Sequence, residues 1–219
     1  MNSKLARRLV VCAAAAALAA GTLTACIPLL VGGAAVGGTL VVSDRRTSGA
    51  QLEDEGIELR SNSRIRNNLG TRVNVNVNSY NRQVLLTGEV PTAQDKLLVE
   101  QIVSKVENVV SVVNELGVMS SPTLAQRSSD ALVTGRVKAA LVDAKDLFAN
   151  SFRVNTERGV VYLMGRVTQR EADRGTAVAR ATSGVQKVVR IFEIISEEEL
   201  ARQLPSPARP ASTADKLAN

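Results

Sequence analysis

The sequence predicts an α+β protein made of two tandem copies of one small module. Each copy runs helix–strand–strand–helix–strand, with its helices packed on a three-stranded mixed sheet. Three observations predict this: a stretch of sequence recurs, apolar and polar residues alternate at strand spacing, and helix-start signals follow the second strand in both copies.

Residues 77–90 (VNSYNRQVLLTGEV) align without a gap on residues 154–167 (VNTERGVVYLMGRV). With a one-residue gap, residues 108–113 (NVVSVV) align on residues 184–189 (GVQKVV). Upstream, the run from Ile65 to Leu69 matches that from Val137 to Leu141, which leaves residues 143–151 as extra residues in the second copy. The repeat unit of roughly 65 to 70 residues is too long for a solenoid repeat and suits a small domain.

The first helices are expected over residues 51–69 and 129–144. Val73, Val75 and Val77 alternate with Asn74, Asn76 and Asn78, the pattern of a half-buried strand. Residues 80–82 make the hairpin turn and residues 84–90 the returning strand. Thr92 with Asp95, and Thr168 with Glu171, stand at capping-box spacing. The helices they open run to about Val106 and Ser183, and residues 109–118 and 185–195 form the closing strands. Gly88 and Gly165 end the second strands, where glycine suggests a bulge or close backbone approach. They read as structural glycines, with ligand binding the alternative.

The N-terminus carries Lys4, Arg7 and Arg8 before an apolar run from Leu9 to Ala20, the layout of a secretory signal. Leu23-Thr24-Ala25-Cys26 matches the lipobox, which makes residues 1–25 the signal peptide and Cys26 the lipid-attachment residue. An ordinary signal peptide with a chance cysteine is the alternative. Cys12 would leave with the signal, so no intrachain disulfide is expected. Several acyl chains on one cysteine hold a membrane stably where one does not. Residues 27–42 are apolar, with an early Pro and four Gly. They read as a membrane-hugging tether, or as a glycine-mediated helix contact. The expected boundaries are 26–49 for the acylated Cys and tether, 50–118 for the first module, 119–127 for the linker, 128–196 for the second module and 197–219 for a disordered tail.

Composition narrows the chemistry. The chain has no His and no Trp, and its two Cys lie in or beside the signal. The usual triads and zinc sites therefore lack their parts, and no Gly-rich phosphate loop follows a strand. The chain reads as a non-enzyme with no catalytic residues, no metal, no cofactor beyond the covalent lipid on Cys26 and no small-molecule substrate. Basic charge without aromatic stacking residues, on an exported chain, argues against a nucleic-acid partner.

The helix–strand–strand–helix–strand pattern with its strand-ending glycine resembles the BON domain. Two copies behind a lipobox are similar to dual-BON outer-membrane lipoproteins, through Asp44-Arg45-Arg46-Thr47, residues 72–75 (RVNV) and residues 160–168 (VVYLMGRVT). The resemblance implies a lipoprotein on the periplasmic face of the outer membrane that supports envelope integrity, with a place at the division site. It further implies binding of anionic phospholipid, mainly through the first helix of the second module. Ile27 follows the cysteine where Asp would signal inner-membrane retention, a sorting rule that also belongs to such lipoproteins. A periplasmic scaffold that recruits envelope-assembly or cell-wall enzymes is the other reading, with envelope proteins as partners.

Charge bears on this independently. Residues 50–118 hold 7 basic and 9 acidic side chains, net −2, whereas residues 127–195 hold 12 and 7, net +5. Attraction of a basic surface to anionic lipid is worth about 1 kcal/mol per well-placed Lys or Arg. The candidate phospholipid contacts are Leu132, Val133, Arg136, Ala139, Lys138 and Arg127, with Val133, Val137, Ala140 and Leu141 on the face that packs into the module's own sheet. Each is open to a core role as well as a lipid contact. Where Leu132 aligns, a member of the resembled family carries an aromatic residue, so Leu132 would insert without an amphipathic ring.

Overall fold

The computed structural model describes residues 44–203. The signal segment, Cys26 and the tether to residue 43, and the tail from residue 204, lie outside the described residues. The first module contains α1 (Ser48–Leu69), β1 (Asn74–Tyr80), β2 (Gln83–Val90), α2 (Ala93–Ser104), β3 (Ser111–Asn114) and β4 (Gly117–Val118). The second contains α3 (Leu124–Asp143), a 3-10 turn (Ala149–Ser151), β5 (Arg153–Glu157), β6 (Val160–Thr168), α4 (Gln169–Ala181) and β7 (Lys187–Ile195), followed by α5 (Glu197–Gln203). In each module an antiparallel hairpin is joined by a parallel closing strand on its second strand. The α+β class and the mixed sheets expected from the repeat are both present.

One device recurs at the hairpins. Asn81 and Arg82 have positive φ, as do Arg158 and Gly159 in the second hairpin. These are two-residue turns of the kind that match strand twist. Both turns are held from the first helix of their module. The Asp54 carboxylate accepts the N–H groups of Asn81 and Arg82 at 2.8 Å each. The Asp130 carboxylate accepts those of Arg158 and Gly159 at 2.9 Å each.

This pairing corrects the alignment of the first helices. Asp54 corresponds to Asp130, so Ile57 corresponds to Val133 and Ile65 to Leu141, not to Val137. The distance from the turn-holding Asp to the strand Val is then 23 residues in one copy (54 to 77) and 24 in the other (130 to 154), which reduces the supposed insertion at residues 143–151 to a single residue. A shift of one helical turn lays one buried i, i+4 pair on another, which is why apolar spacing alone selects the wrong register.

Other boundaries move for local reasons. α3 starts at Leu124, inside the expected linker, because the Thr123 hydroxyl caps the Gln126 N–H at 3.2 Å. The closing strand of the first module is broken after Asn114, whose side-chain carbonyl takes the Leu116 N–H at 3.2 Å. Residues 197–203, expected to be disordered, form α5. Three glutamates occupy its first turn, where the helix dipole favours them, and Leu200 is buried.

Each sheet covers one face with its own helices. In the first module Ile57, Ile65, Val77, Val84, Leu86, Val99 and Val103 share a core; in the second, Val133, Val137, Leu141, Val154, Val161, Leu163 and Ala179 do so. The other faces pack on each other through Tyr80, Leu85, Tyr162, Met164 and Ile191. Double-sided burial explains the unbroken apolar runs of β2 and β6.

Asn76, Asn78 and Asn155 do not simply face water. Asn76 donates to Glu157 at 3.0 Å, Asn78 accepts from Arg153 at 3.1 Å, and Asn155 donates to Thr87 at 3.0 Å, each across the junction.

Gly88 and Gly165 sit where two backbones nearly touch. A Cβ would lie 2.1 Å from the Asn74 carbonyl oxygen at Gly88 and 2.2 Å from that of Ser151 at Gly165. Gly165→Ala is expected to cost about 1–3 kcal/mol through overpacking. Gly88→Ala should cost more, because Gly88 also has φ +107° and left-handed strain adds about 1–2 kcal/mol. Urea unfolding midpoints of the two variants check the order.

Candidate functional site

Helix α3 turns Asp130, Val133, Val137 and Leu141 inward against the β5–β6 hairpin. Its opposite side is a line of apolar and small residues. Leu132 is 62% exposed, and Gly135, Ala139 and Val142 continue the line at helical spacing, with Leu124 two turns before. Arg136 flanks this line on one side and Lys138 on the other, both exposed.

Val133 is corrected. At 3% exposure it belongs to the core with Val137 and Leu141, and its side chain does not reach a surface ligand. Arg127 is exposed but stands apart from Leu132 and Arg136, at the cleft between modules, with a guanidinium nitrogen 3.5 Å from Asn74 Oδ1. Leu124 and Val142 escaped the sequence reading. The Thr123 cap was the signal that extends the helix far enough to reveal Leu124.

The duplicated arginines differ in surroundings. With Asp54 matched to Asp130, Arg60 corresponds to Arg136. Arg60 is paired with Glu53 at 2.6 Å. The position equivalent to Glu53 is Ser129, and neither Arg136 nor Lys138 has an ion-pair partner among the described residues. At this one position the charge is paired within the first module and left without an ion-pair partner among the described residues in the second.

The segment before α1 forms a strap. Arg45 makes a two-pronged contact with Glu171 at 2.7 Å on each oxygen and donates to the Arg166 carbonyl at 3.1 Å. The side chains are 5% and 0% exposed, so this is a desolvated ion pair between the strap and the second module. Glu171 also closes the capping box of α4 with Thr168. Arg46 lies 4.2 Å over the Tyr80 ring and bonds Asp54 at 2.6 Å.

These contacts set protonation. Burial pushes against ionisation of Asp54, yet hydrogen bonds from Ser79, the Arg82 N–H and Arg46 hold its carboxyl below the usual range. Glu171 is likewise desolvated but lowered by Arg45 and the Thr168 N–H. Glu157 goes the other way, raised by burial and by the charges of Glu89 and Asp130. Burial and the nearby Asp44 charge push Tyr80 up to about 12.

The lowered carboxyls contribute stability that is present above their unfolded values and lost as pH falls through the folded ones. Glu157, being raised, contributes stability that is gained as pH falls through its folded value. Stability is therefore expected to rise slightly from neutral into mildly acidic solution and to drop once pH passes below about 4. Urea midpoints against pH check this, and Glu157→Gln should remove the rise and leave the drop.

Each module is one α–β–β–α–β unit, and the BON-domain model matches residues 53–119 and 129–195. The chain belongs to the BON-domain family. It is 34% identical over 175 residues to the outer membrane lipoprotein DolP of Haemophilus influenzae, covering 79% of this chain and 90% of that protein. It is 30% identical over 154 residues to the 21 kDa hemolysin of Actinobacillus pleuropneumoniae, covering 69% and 79%. Among solved structures, the C-terminal domain of CdsD, a structural protein of the type III secretion system of Chlamydia trachomatis, covers 69% of this chain and 100% of its own at 16% identity. Its TM-score is 0.27.

Proposed function

We propose that this protein is a non-enzymatic lipoprotein of the outer membrane, anchored on the periplasmic face by an acylated Cys26. Its second module binds anionic phospholipid, and the protein thereby supports envelope integrity, including at the division site. The similarity to DolP supports the membrane and the anchor. The observation that carries the lipid reading is the outward face of α3. Exposed Leu132, Ala139 and Val142 lie between Arg136 and Lys138, cations without ion-pair partners among the described residues.

Such a face suits the interface of a bilayer, with apolar side chains at the level of the headgroups and acyl chains and guanidinium against phosphate. The corresponding arginine of the first module is occupied by Glu53, which gives the second module the stronger claim.

A scaffold role is favoured by a different surface. Leu52 and Leu59 are each 72% exposed on α1, in the acidic module, and fit a protein partner better than an anionic membrane.

The test is flotation of the full chain without its acyl group (Cys26→Ser, signal removed) with vesicles of neutral lipid or of phosphatidylglycerol mixtures. Binding should require the anionic lipid. Arg136→Glu, a reversal of one well-placed charge, should weaken it about 10- to 30-fold. Equal binding to neutral vesicles contradicts the proposal.

A further inference from the structure

Phe148 is 53% exposed in a chain with three phenylalanines and no tryptophan. The other two, Phe152 and Phe192, pack edge to face at 5.8 Å inside the second module. Phe148 stands in the loop between α3 and β5. That loop is pinned on both sides of it: Leu147 packs on the module core, and the Phe148 carbonyl accepts the Ser151 N–H at 2.9 Å. The fold thus holds an aromatic ring outward.

The strap ends beside this ring. The Arg45 guanidinium lies 5.6 Å from its centroid while its nitrogens hold Glu171 and the Arg166 carbonyl. Upstream of Asp44 the chain continues through Ser43 into the apolar run of residues 27–42 and then to Cys26. Val42 is two residues from Asp44, at most about 7 Å along the chain. If that run lies on the bilayer, the strap brings Phe148 to the same surface.

Around the ring, Asp146 is paired with Arg174 at 2.8 Å, and Lys145 is exposed without an ion-pair partner among the described residues. Asp143, at the end of α3, is exposed and has no ion-pair partner among the described residues. Val142 and Lys138, on the last turns of α3, line a groove with Ala149 and Asn150 on the far side.

We infer that Phe148 is a second membrane contact, which enters the interfacial layer of an anionic phospholipid bilayer because the Arg45–Glu171 clamp fixes the tether's departure beside it. The inference deepens the proposed function and rests on it for the choice of a bilayer as occupant. Lipid anchor, Phe148 and the α3 face then meet one surface, so the second module has a defined orientation on the membrane. The first module's α1 and α2 are held off it.

The native absence of tryptophan makes a direct test available. The full acylated chain carrying Phe148→Trp is reconstituted into phosphatidylethanolamine–phosphatidylglycerol vesicles, and only floated material is measured. Its emission should shift to the blue and be quenched by lipid labelled at a shallow acyl position, whereas Leu97→Trp on the first module should remain unquenched. Adding Arg45→Ala to Phe148→Trp should lower the quenching at least twofold with the protein still floated.

An unquenched Phe148→Trp in floated vesicles overturns the inference, as does a blue shift that appears without lipid as protein concentration rises. Leu132→Trp separates the two readings. Quenching there but not at Phe148→Trp leaves the α3 reading standing alone; quenching at Phe148→Trp but not at Leu132→Trp contradicts the α3 reading and keeps the loop contact.

Discussion

The back-to-back contact of the two sheets governs the rest of the molecule. A BON-type sheet covers one face with its own helices, and its other face carries residues such as Leu85 and Met164 that are almost fully buried here. Full burial of such a side chain is worth about 1.5–3 kcal/mol relative to exposure. Each module therefore completes its sheet with the other, and the helices are left on the outside. Around the apolar centre the junction is ringed by polar links, among them Arg158–Glu89 at 2.8 Å and Arg153–Glu58 at 2.9 Å. The buried Arg45–Glu171 pair adds the upstream segment to the same body. Removing one partner from a pair this dry leaves a charge uncompensated, which is why such a contact holds a defined geometry.

Once the sheets face each other, functional difference has to come from the outward helices. The duplicated modules share the turn-holding aspartate, the strand glycine and the helix order, but their surfaces have diverged. Glu53 beside Arg60 has become Ser129 beside Arg136, and the net charge changes from −2 over residues 50–118 to +5 over residues 127–195. Those changes touch neither core. They change what each surface can attract.

Much of the fold was legible from sequence because its determinants are local. The Thr168–Glu171 box, the Val–Asn alternation of β1 and the repeated strand glycine each follow from short-range pattern. The register of the first helices was not, since a turn's shift leaves the apolar spacing intact. Only the contact of Asp54 and Asp130 with their hairpins resolves it. The asparagines of β1 also read as solvent-facing in sequence, because nothing local tells a polar residue whether water or a second module will satisfy it. At the candidate site the outward placement of Leu132, Arg136 and Lys138 on α3 was legible from helical geometry. Val133 was read both as core and as a lipid contact, and its burial keeps only the core role; the role of Arg45 depends on a partner 126 positions away.

The proposed function requires that one face of the paired modules, the outer side of α3, meets anionic lipid. Hydrogen–deuterium exchange of the full chain with and without phosphatidylglycerol vesicles tests it most directly. Lipid contact there should add protection over residues 124–148 and leave α1 unchanged. Protection confined to α1 and α2, or none in the second module on vesicles that demonstrably hold the protein, contradicts it.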